Sequence, residues 1–235
     1  MQLFYNPDIS ENDNTIVFDK DESRHIVKVL RKKVGDSLNI TNGKGWVFTT
    51  ELTLAEQKHC TGNIISKEKH NKRTYKLHLA VAPTKMNDRF EWFLEKATEI
   101  GIDTITPLLC DHSERKVIKT ERFEKIIQSA MKQSLQYYMP ELRPLTAFKD
   151  FISQDITGQK FIAHCEDTER KSLKSVIEPN SDVTILIGPE GDFSTNEIKQ
   201  ATANSFVPVI IGGTRLRTET AAIVACHSIA FYNTL

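Results

Sequence analysis

Cysteine is scarce in this 235-residue chain: Cys60, Cys110, Cys165 and Cys226 stand far apart, and no C-x-x-C pair occurs. A zinc knuckle or a redox dithiol is thereby excluded, and no metal site is expected. Cys110 and Cys165 end apolar runs, which predicts reduced, buried thiols. No apolar run approaches the ~20 residues of a membrane span. The start, MQLFYNPDISEND, has neither a basic n-region nor an apolar h-region, so a cytoplasmic protein without a signal peptide is expected. Net charge is also missing, with 31 basic residues against 31 acidic ones, which argues against a protein that coats nucleic acid indiscriminately. Repeats and low-complexity tracts are absent. So are G-x-G-x-x-G and G-x-x-x-x-G-K-[ST], which removes a Rossmann dinucleotide site and a phosphate loop.

What is present is an ordinary globular composition, 39% hydrophobic and 26% charged, long enough to bury a core. Its charge is unevenly spread. Residues 1–76 carry 13 Lys/Arg and 10 Asp/Glu, and the balance reverses beyond them. The polar run KEKHNKR at 67–73 is the natural boundary. Before it, strands are predicted at 38–41, 46–54 and 62–66, joined by the turn NGKG at 42–45 and interrupted by a helix over 22–30. That pattern suits a small β-barrel.

Beyond the boundary the period changes. Apolar, β-branched runs at Leu77–Val81, Thr104–Leu109, 161–165, Val183–Ile187 and 207–211 read as buried parallel strands. Helices are predicted between them. The first is Asn87–Ile100, with Asn87 capping its start and Gly101 its end. The second runs over 120–138 and is stopped by Pro140. The third, 194–206, opens on the capping box Ser194-x-x-Glu197. The last is Thr218–Tyr232, with Ala221, Ala222, Val224 and Ala225 inward. Alternation of this kind implies an α/β domain.

Two stretches carry chemistry. In IGPEGDFS, 187–194, an apolar strand runs into glycines and then a capped helix, the kind of junction where parallel sheets bind ligands. IGGTRLRTETA, 211–221, repeats the design and crowds Arg215, Arg217 and Glu219 at a strand end. Each stretch alone is equally a tight turn or a solvated loop; as a pair they favour a ligand site. HSER, 112–115, follows another strand end and could face the same site. In the first segment Arg24, His25, Lys28, Arg31, Lys32 and Lys33 form a basic cluster. On a helix from Glu22, Arg24, Lys28 and Arg31 would share a face, giving either a phosphate clamp or a solvated face.

GPEGDFS followed by RLRTETA resembles the C-terminal signature of the RsmE family, the 16S rRNA uridine-N3 methyltransferases of the SPOUT superfamily. RHIVKVLRKKVGD, 24–36, resembles the family's N-terminal RNA-binding motif, and Lys85–Gly101, which contains KATEIG, its first methyltransferase-domain helix. The resemblance implies an α/β SPOUT methyltransferase domain with a C-terminal deep trefoil knot, over 74–235. A small PUA-like RNA-binding β-barrel precedes it, over 1–70. It implies S-adenosylmethionine as cofactor, leaving S-adenosylhomocysteine, held by His164, Glu166, Ile187, Gly188, Pro189, Glu190, Gly191, Ile211, Gly212, Leu216, Thr218, Thr220 and Ala221. Gly188 and Gly212 would let the main chain close on it. The substrate implied is N3 of a specific uridine (1498 in the usual 16S numbering), in rRNA of the assembled 30S subunit, with a homodimer formed through the knotted domain.

Under this resemblance Arg217 stabilises the anionic base, and Glu219 either accepts the proton or orients Arg217. RNA would be held by Arg24, His25, Lys28, Arg31, Lys33, Lys85 and Arg89. The chain departs from the common pattern in three places: Asp192 replaces a glycine of GPEGGFS, Gly213–Thr214 vary the second loop, and Gln136 stands where an arginine is frequent. Methylation of another RNA site, or a non-catalytic role in ribosome assembly, remains the alternative.

Overall fold

The computed structural model describes residues 2–233. Met1, Thr234 and Leu235, the extremes of the two expected domains, lie outside the described residues. The chain forms two compact units: the described residues up to Lys72 together with Met131–Met139, and Arg73–Ala130 together with the described residues from Pro140 on.

The first unit is built on five strands: β1 (Leu3–Tyr5), β2 (Thr15–Phe18), β3 (Ser37–Thr41), β4 (Trp46–Glu56) and β5 (His59–Lys69). They are ordered β1-β3-β4-β5-β2, with β1 parallel to β3 and the other pairs antiparallel. Period-two alternation turns Leu38 and Ile40 inward. All five strands feed one apolar cluster, including Phe4, Phe18, Ile26, Ile40, Phe48 and Cys60, as in a small barrel. Strand β5 runs through Lys69, so part of the charged run expected as a linker is paired with Trp46 and its neighbours. The β3–β4 turn needs its second glycine. Gly45 has φ 88°, and a Cβ there would collide with the Tyr138 ring.

The basic helix differs from expectation. Residues Lys20–Arg24 form α1, capped by Asp19, which accepts the Glu22 N–H at 2.8 Å. His25–Val29 then form a π-turn, closed by Leu30 N–H to His25 O at 3.0 Å, and Arg31 adopts φ 55°. The wider turn buries Ile26 completely. The i, i+4, i+7 face predicted for Arg24, Lys28 and Arg31 therefore does not form.

The second unit carries a parallel sheet of β6 (Leu77–Val81), β7 (Thr104–Leu109), β8 (Glu141–Leu142), β10 (Gln159–Ala163), β11 (Lys171–Ser172), β12 (Val183–Ile187) and β13 (Val207–Ile210). The order is β11-β13-β10-β12-β6-β7-β8, and the two-residue β9 (Thr146–Ala147) pairs with β7. Five helices accompany them within this unit or at its boundary: α2 (Asn87–Ile100), α3 (Thr120–Gln133), α4 (Phe148–Ile152), α6 (Thr195–Ala203) and α7 (Thr218–Tyr232); α5 (Leu173–Val176) is a single turn. One core cluster on the sheet joins Ala80, Leu108, Phe148, Ile162, Leu186 and Phe206.

Several boundaries moved for physical reasons. Helix α3 stops at Gln133, not at 138, because Leu135 turns left-handed (φ 56°) and Gln136 N–H bonds back to Met131 O at 3.0 Å. Beyond it, Tyr137 O accepts from Gly45 N–H at 2.8 Å and Met139 N–H donates to Gly43 O at 2.9 Å. Asn87 does not cap α2; the cap position is Met86, without a side-chain bond, and Asn87 is the first helical residue. Gly101 ends that helix as expected, with φ 108°. Ser194 and Glu197 do form the reciprocal capping box of α6, which ends earlier than expected, at Ala203. Helix α7 faces inward with Ala222, Ala225, Cys226 and Ile229, whereas Ala221 and Val224 are only partly buried. Cys165 is exposed, not buried, because β10 ends two residues before it; Cys60, Cys110 and Cys226 are buried. No described helix is long and apolar enough to cross a membrane. The described residues contain no group of three or more His, Cys, Asp or Glu able to hold a metal.

Candidate active site

Strands β12, β10 and β13 are parallel neighbours, with Ala163 in register with Ile187 on one side and Val209 on the other. Their carboxyl ends therefore converge. Three loops leave this edge: 164–170, 188–194 and 211–217. Between them lies a cleft of about 870 Å3, walled by Ile187, Val209, Ile211 and Leu216 and by the polar groups of the loops. Such a crevice beyond the strand ends is where open α/β sheets bind ligands.

The 188–194 loop is held from several sides. Glu190 Oε1 accepts the Lys85 N–H at 2.9 Å. His112 Nδ1 lies 3.0 Å from both Gly191 O and Asp192 O; since both partners are acceptors, Nδ1 carries the proton. Ser194 Oγ bonds Asp111 Oδ2 at 2.6 Å, and Glu197 Oε1 accepts the Asp111 N–H at 2.9 Å. Gly188 is small because of protein packing: a Cβ there would lie 3.1 Å from the Phe193 ring and amide. Gly212, by contrast, has only Leu216 nearby, at 3.8 Å, and its surroundings are open.

The 164–170 loop contributes His164. It is buried, and both ring nitrogens lack a hydrogen-bond partner. Burial pushes its pKa below the ordinary histidine value; Asp192 and Glu166 oppose that and Arg170 adds to it. The ring is thus held neutral, with an unmet donor and an unmet acceptor. Arg170 also closes the loop, donating to His164 O at 2.8 Å.

Of the residues expected to hold a cofactor, His164, Ile187, Gly188, Pro189, Glu190 and Gly191 line the cleft, as do Ile211, Gly212, Leu216, Thr218 and Ala221. Glu166 lies instead in an adjoining cavity of about 370 Å3, and accepts from Thr195 Oγ1 at 2.5 Å. Thr220 is partly buried and outside the lining. Arg217 lines the cleft, is exposed, and precedes α7 as its cap residue. Glu219 is buried; its Oε1 lies 3.9 Å from Arg89 Nε, and its Oε2 has no hydrogen-bond partner. Among the described residues no ion pair within 4.0 Å joins Glu219 to Arg217, so the carboxylate is turned to Arg89. Lys85 Nζ pairs with Glu114 at 2.8 Å.

In the first unit Arg24, Lys28, Arg31 and Lys33 are exposed, while His25 and Lys32 are partly buried. His25 Nε2 lies 2.8 Å from Gln2 Nε2, and its ring packs on Phe4. Lys132 is paired with Glu22 at 3.1 Å.

Sequence reading alone did not find Arg170 or the bonds made by Asp192 and Arg115. Arg115 donates to Thr84 O at 3.0 Å and Lys85 O at 2.6 Å, fixing the loop that meets Glu190. The HSER motif was the available signal for it.

The chain matches the RNA methyltransferase domain family over residues 70–230 and the RNA methyltransferase PUA domain family over residues 18–65. It is 33% identical to the ribosomal RNA small subunit methyltransferase E of Buchnera aphidicola (strain APS), over 90% of this chain and 86% of that one. Among solved structures, a "probable rRNA-methyltransferase" from Porphyromonas gingivalis superposes with a TM-score of 0.92 at 40% identity, covering 100% of this chain and 99% of that one. The ribosomal RNA small subunit methyltransferase E of Neisseria gonorrhoeae, solved bound to S-adenosyl methionine, gives 0.87 at 25% identity, covering 99% and 98%. With these likenesses spanning both the small N-terminal sheet and the cleft-bearing parallel sheet, the chain belongs to the ribosomal RNA small subunit methyltransferase E family.

Proposed function

We propose that this chain methylates N3 of a uridine in small-subunit rRNA, position 1498 in the usual numbering, with S-adenosylmethionine as donor. The observation that carries the reading is the cleft at the ends of β10, β12 and β13, with Arg217 free on its wall. The cleft also fits the cofactor. Ile187, Val209 and Leu216 offer an apolar seat, Gly212 leaves the main chain open, and the orphaned ring nitrogens of His164 await polar partners. When bound, S-adenosylmethionine supplies an electrophilic methyl group on its sulfonium.

The protein's own task is to favour the ionised base. Uridine N3–H resembles a tyrosine hydroxyl in acidity, about 10, so roughly one base in a thousand is ionised at neutral pH. Arg217 meets that need with charge and hydrogen bonds where the anion forms. Glu219 lies behind it, buried and 3.9 Å from Arg89, with Oε2 unpartnered, and serves as the proton acceptor or as the carboxylate that orients the guanidinium.

RNA is gripped by Arg24, Lys28, Arg31 and Lys33 of the first unit, aided by His25, and by Lys85 and Arg89 of the second. The target uridine must leave any stack to reach the cleft. The substrate is the assembled 30S particle in the cytoplasm. The enzyme is a homodimer through the second unit. The strand order β13-β10-β12 is taken as the region of the trefoil knot.

Nucleoside analysis of 16S rRNA from a strain lacking this protein tests the reading. N3-methyluridine should be missing and should return with the wild-type gene. Its undiminished presence refutes the assignment.

A further inference from the structure

Asp192 stands where the resembling motif commonly has glycine, and its backbone shows why glycine suits the place: φ is 62°. A left-handed aspartate is strained relative to glycine, though tolerated better than most residues. Its carboxylate is fully engaged. Oδ2 accepts the Cys165 N–H at 2.6 Å, and Oδ1 accepts the Phe193 N–H at 2.8 Å.

The first bond crosses between loops. Strand β10 ends at Ala163, so the Cys165 amide lies past the last strand pairing, and Asp192 is the partner it has. Arg170 closes the other end of the same loop on His164 O. His164, Cys165, Gly191 and Asp192 all line the cleft.

We propose that Asp192 is a positioning residue, which ties the His164–Cys165 loop to the 188–192 loop and pre-forms the cleft between them. The inference rests on the reading of that cleft as the S-adenosylmethionine site. Pre-formation matters because ordering a loop at the moment of binding costs affinity. The tether is a charge-assisted bond, worth about tenfold in a binding constant.

Three variants separate the tether from the backbone strain. Asp192→Gly keeps the left-handed turn and loses the tether. Asp192→Asn keeps the turn and one acceptor oxygen. Asp192→Ala loses both. Calorimetry with S-adenosylhomocysteine should show about tenfold weaker binding for Asp192→Gly, although its melting temperature stays within a few degrees of wild type. Asp192→Asn should fall between the two, and Asp192→Ala should be weakest. In turnover, KM for S-adenosylmethionine should rise about tenfold in Asp192→Gly while kcat at saturation falls less than about threefold. Hydrogen exchange at the Cys165 amide should quicken in Asp192→Gly without ligand. Unchanged Cys165 exchange, or binding within twofold of wild type, overturns the tether. So does equal weakening of Asn and Gly variants with a matching loss of melting temperature. Wild-type protein that binds neither compound overturns instead the cofactor reading beneath it.

Discussion

The two glycine loops look alike in sequence and differ in the folded protein. The 188–194 loop is pinned by Lys85, His112, Asp111 and Cys165, and continues into a fully formed capping box. The 211–217 loop is nearly bare. Gly212, Gly213, Thr214, Arg215 and Arg217 are exposed, and among the described residues no side-chain hydrogen bond or ion pair is recorded for Thr214, Arg215 or Arg217. One loop is a fixed floor. The other is an exposed arm that carries the Arg217 guanidinium without a protein partner among the described residues. Low-stability segments are where functional motion is drawn from. The group assigned to the chemistry sits on the bare loop, while the cofactor seat draws on both, with Gly188 and Gly191 from the pinned loop and Gly212 and Leu216 from the bare one.

This contrast can be broken by substitution. The largest effect is expected at Arg217. Arg217→Ala should lower kcat by roughly 100- to 1000-fold, the cost of removing an anion-stabilising donor, while S-adenosylhomocysteine affinity stays within about threefold. Parallel loss of both in calorimetry and turnover assays would make Arg217 structural and erase the division of labour. Next comes Gly188→Ala. The Phe193 ring and amide must give way to the new methyl, so urea denaturation should show a loss of about 1–3 kcal/mol. Glu190→Ala, which releases the Lys85 amide, should weaken cofactor binding by about fivefold, the size of one modest hydrogen bond, and Glu190→Gln should restore it. The smallest effect is expected at Gly213→Ala on the bare loop. Nothing lies within 4 Å of the added methyl and φ is not positive, so stability should change by less than about 0.5 kcal/mol. If Gly213→Ala cost as much as Gly188→Ala, the arm would be packed and the contrast false.

Much of the fold was legible because periodicity and local chemistry agree. Helices Asn87–Ile100 and Thr218–Tyr232 lie where the apolar spacing puts them, and the Ser194–Glu197 box starts α6 as its residues dictate. Local reading failed where a distant group overrode it. Helix α3 ends early because Tyr137 and Met139 pair with a turn about 90 residues earlier in the chain. The basic helix takes a π-turn because Ile26 is drawn into the barrel core, which spacing on the surface does not reveal. At the candidate site, the residues facing the cleft follow from strand–loop–helix junctions, but their tethers do not. Asp192 to Cys165 spans 27 positions and His112 to Asp192 spans 80, so no motif joins them. Glu219 illustrates the same limit. Two residues from Arg217 in sequence, it faces Arg89 on another helix.

The segment Met131–Met139 has a consequence for how the protein is made. It belongs to the first compact unit, and Tyr138 covers Gly45 while its hydroxyl donates to His70 O at 2.8 Å. A ribosome that has released residues up to 72 has therefore not yet supplied everything the N-terminal sheet needs. About 60 further residues, including the first strands of the parallel sheet, must emerge before the β3–β4 turn meets its partners. During synthesis the small sheet has to wait, incomplete, for a piece of chain encoded well downstream of it.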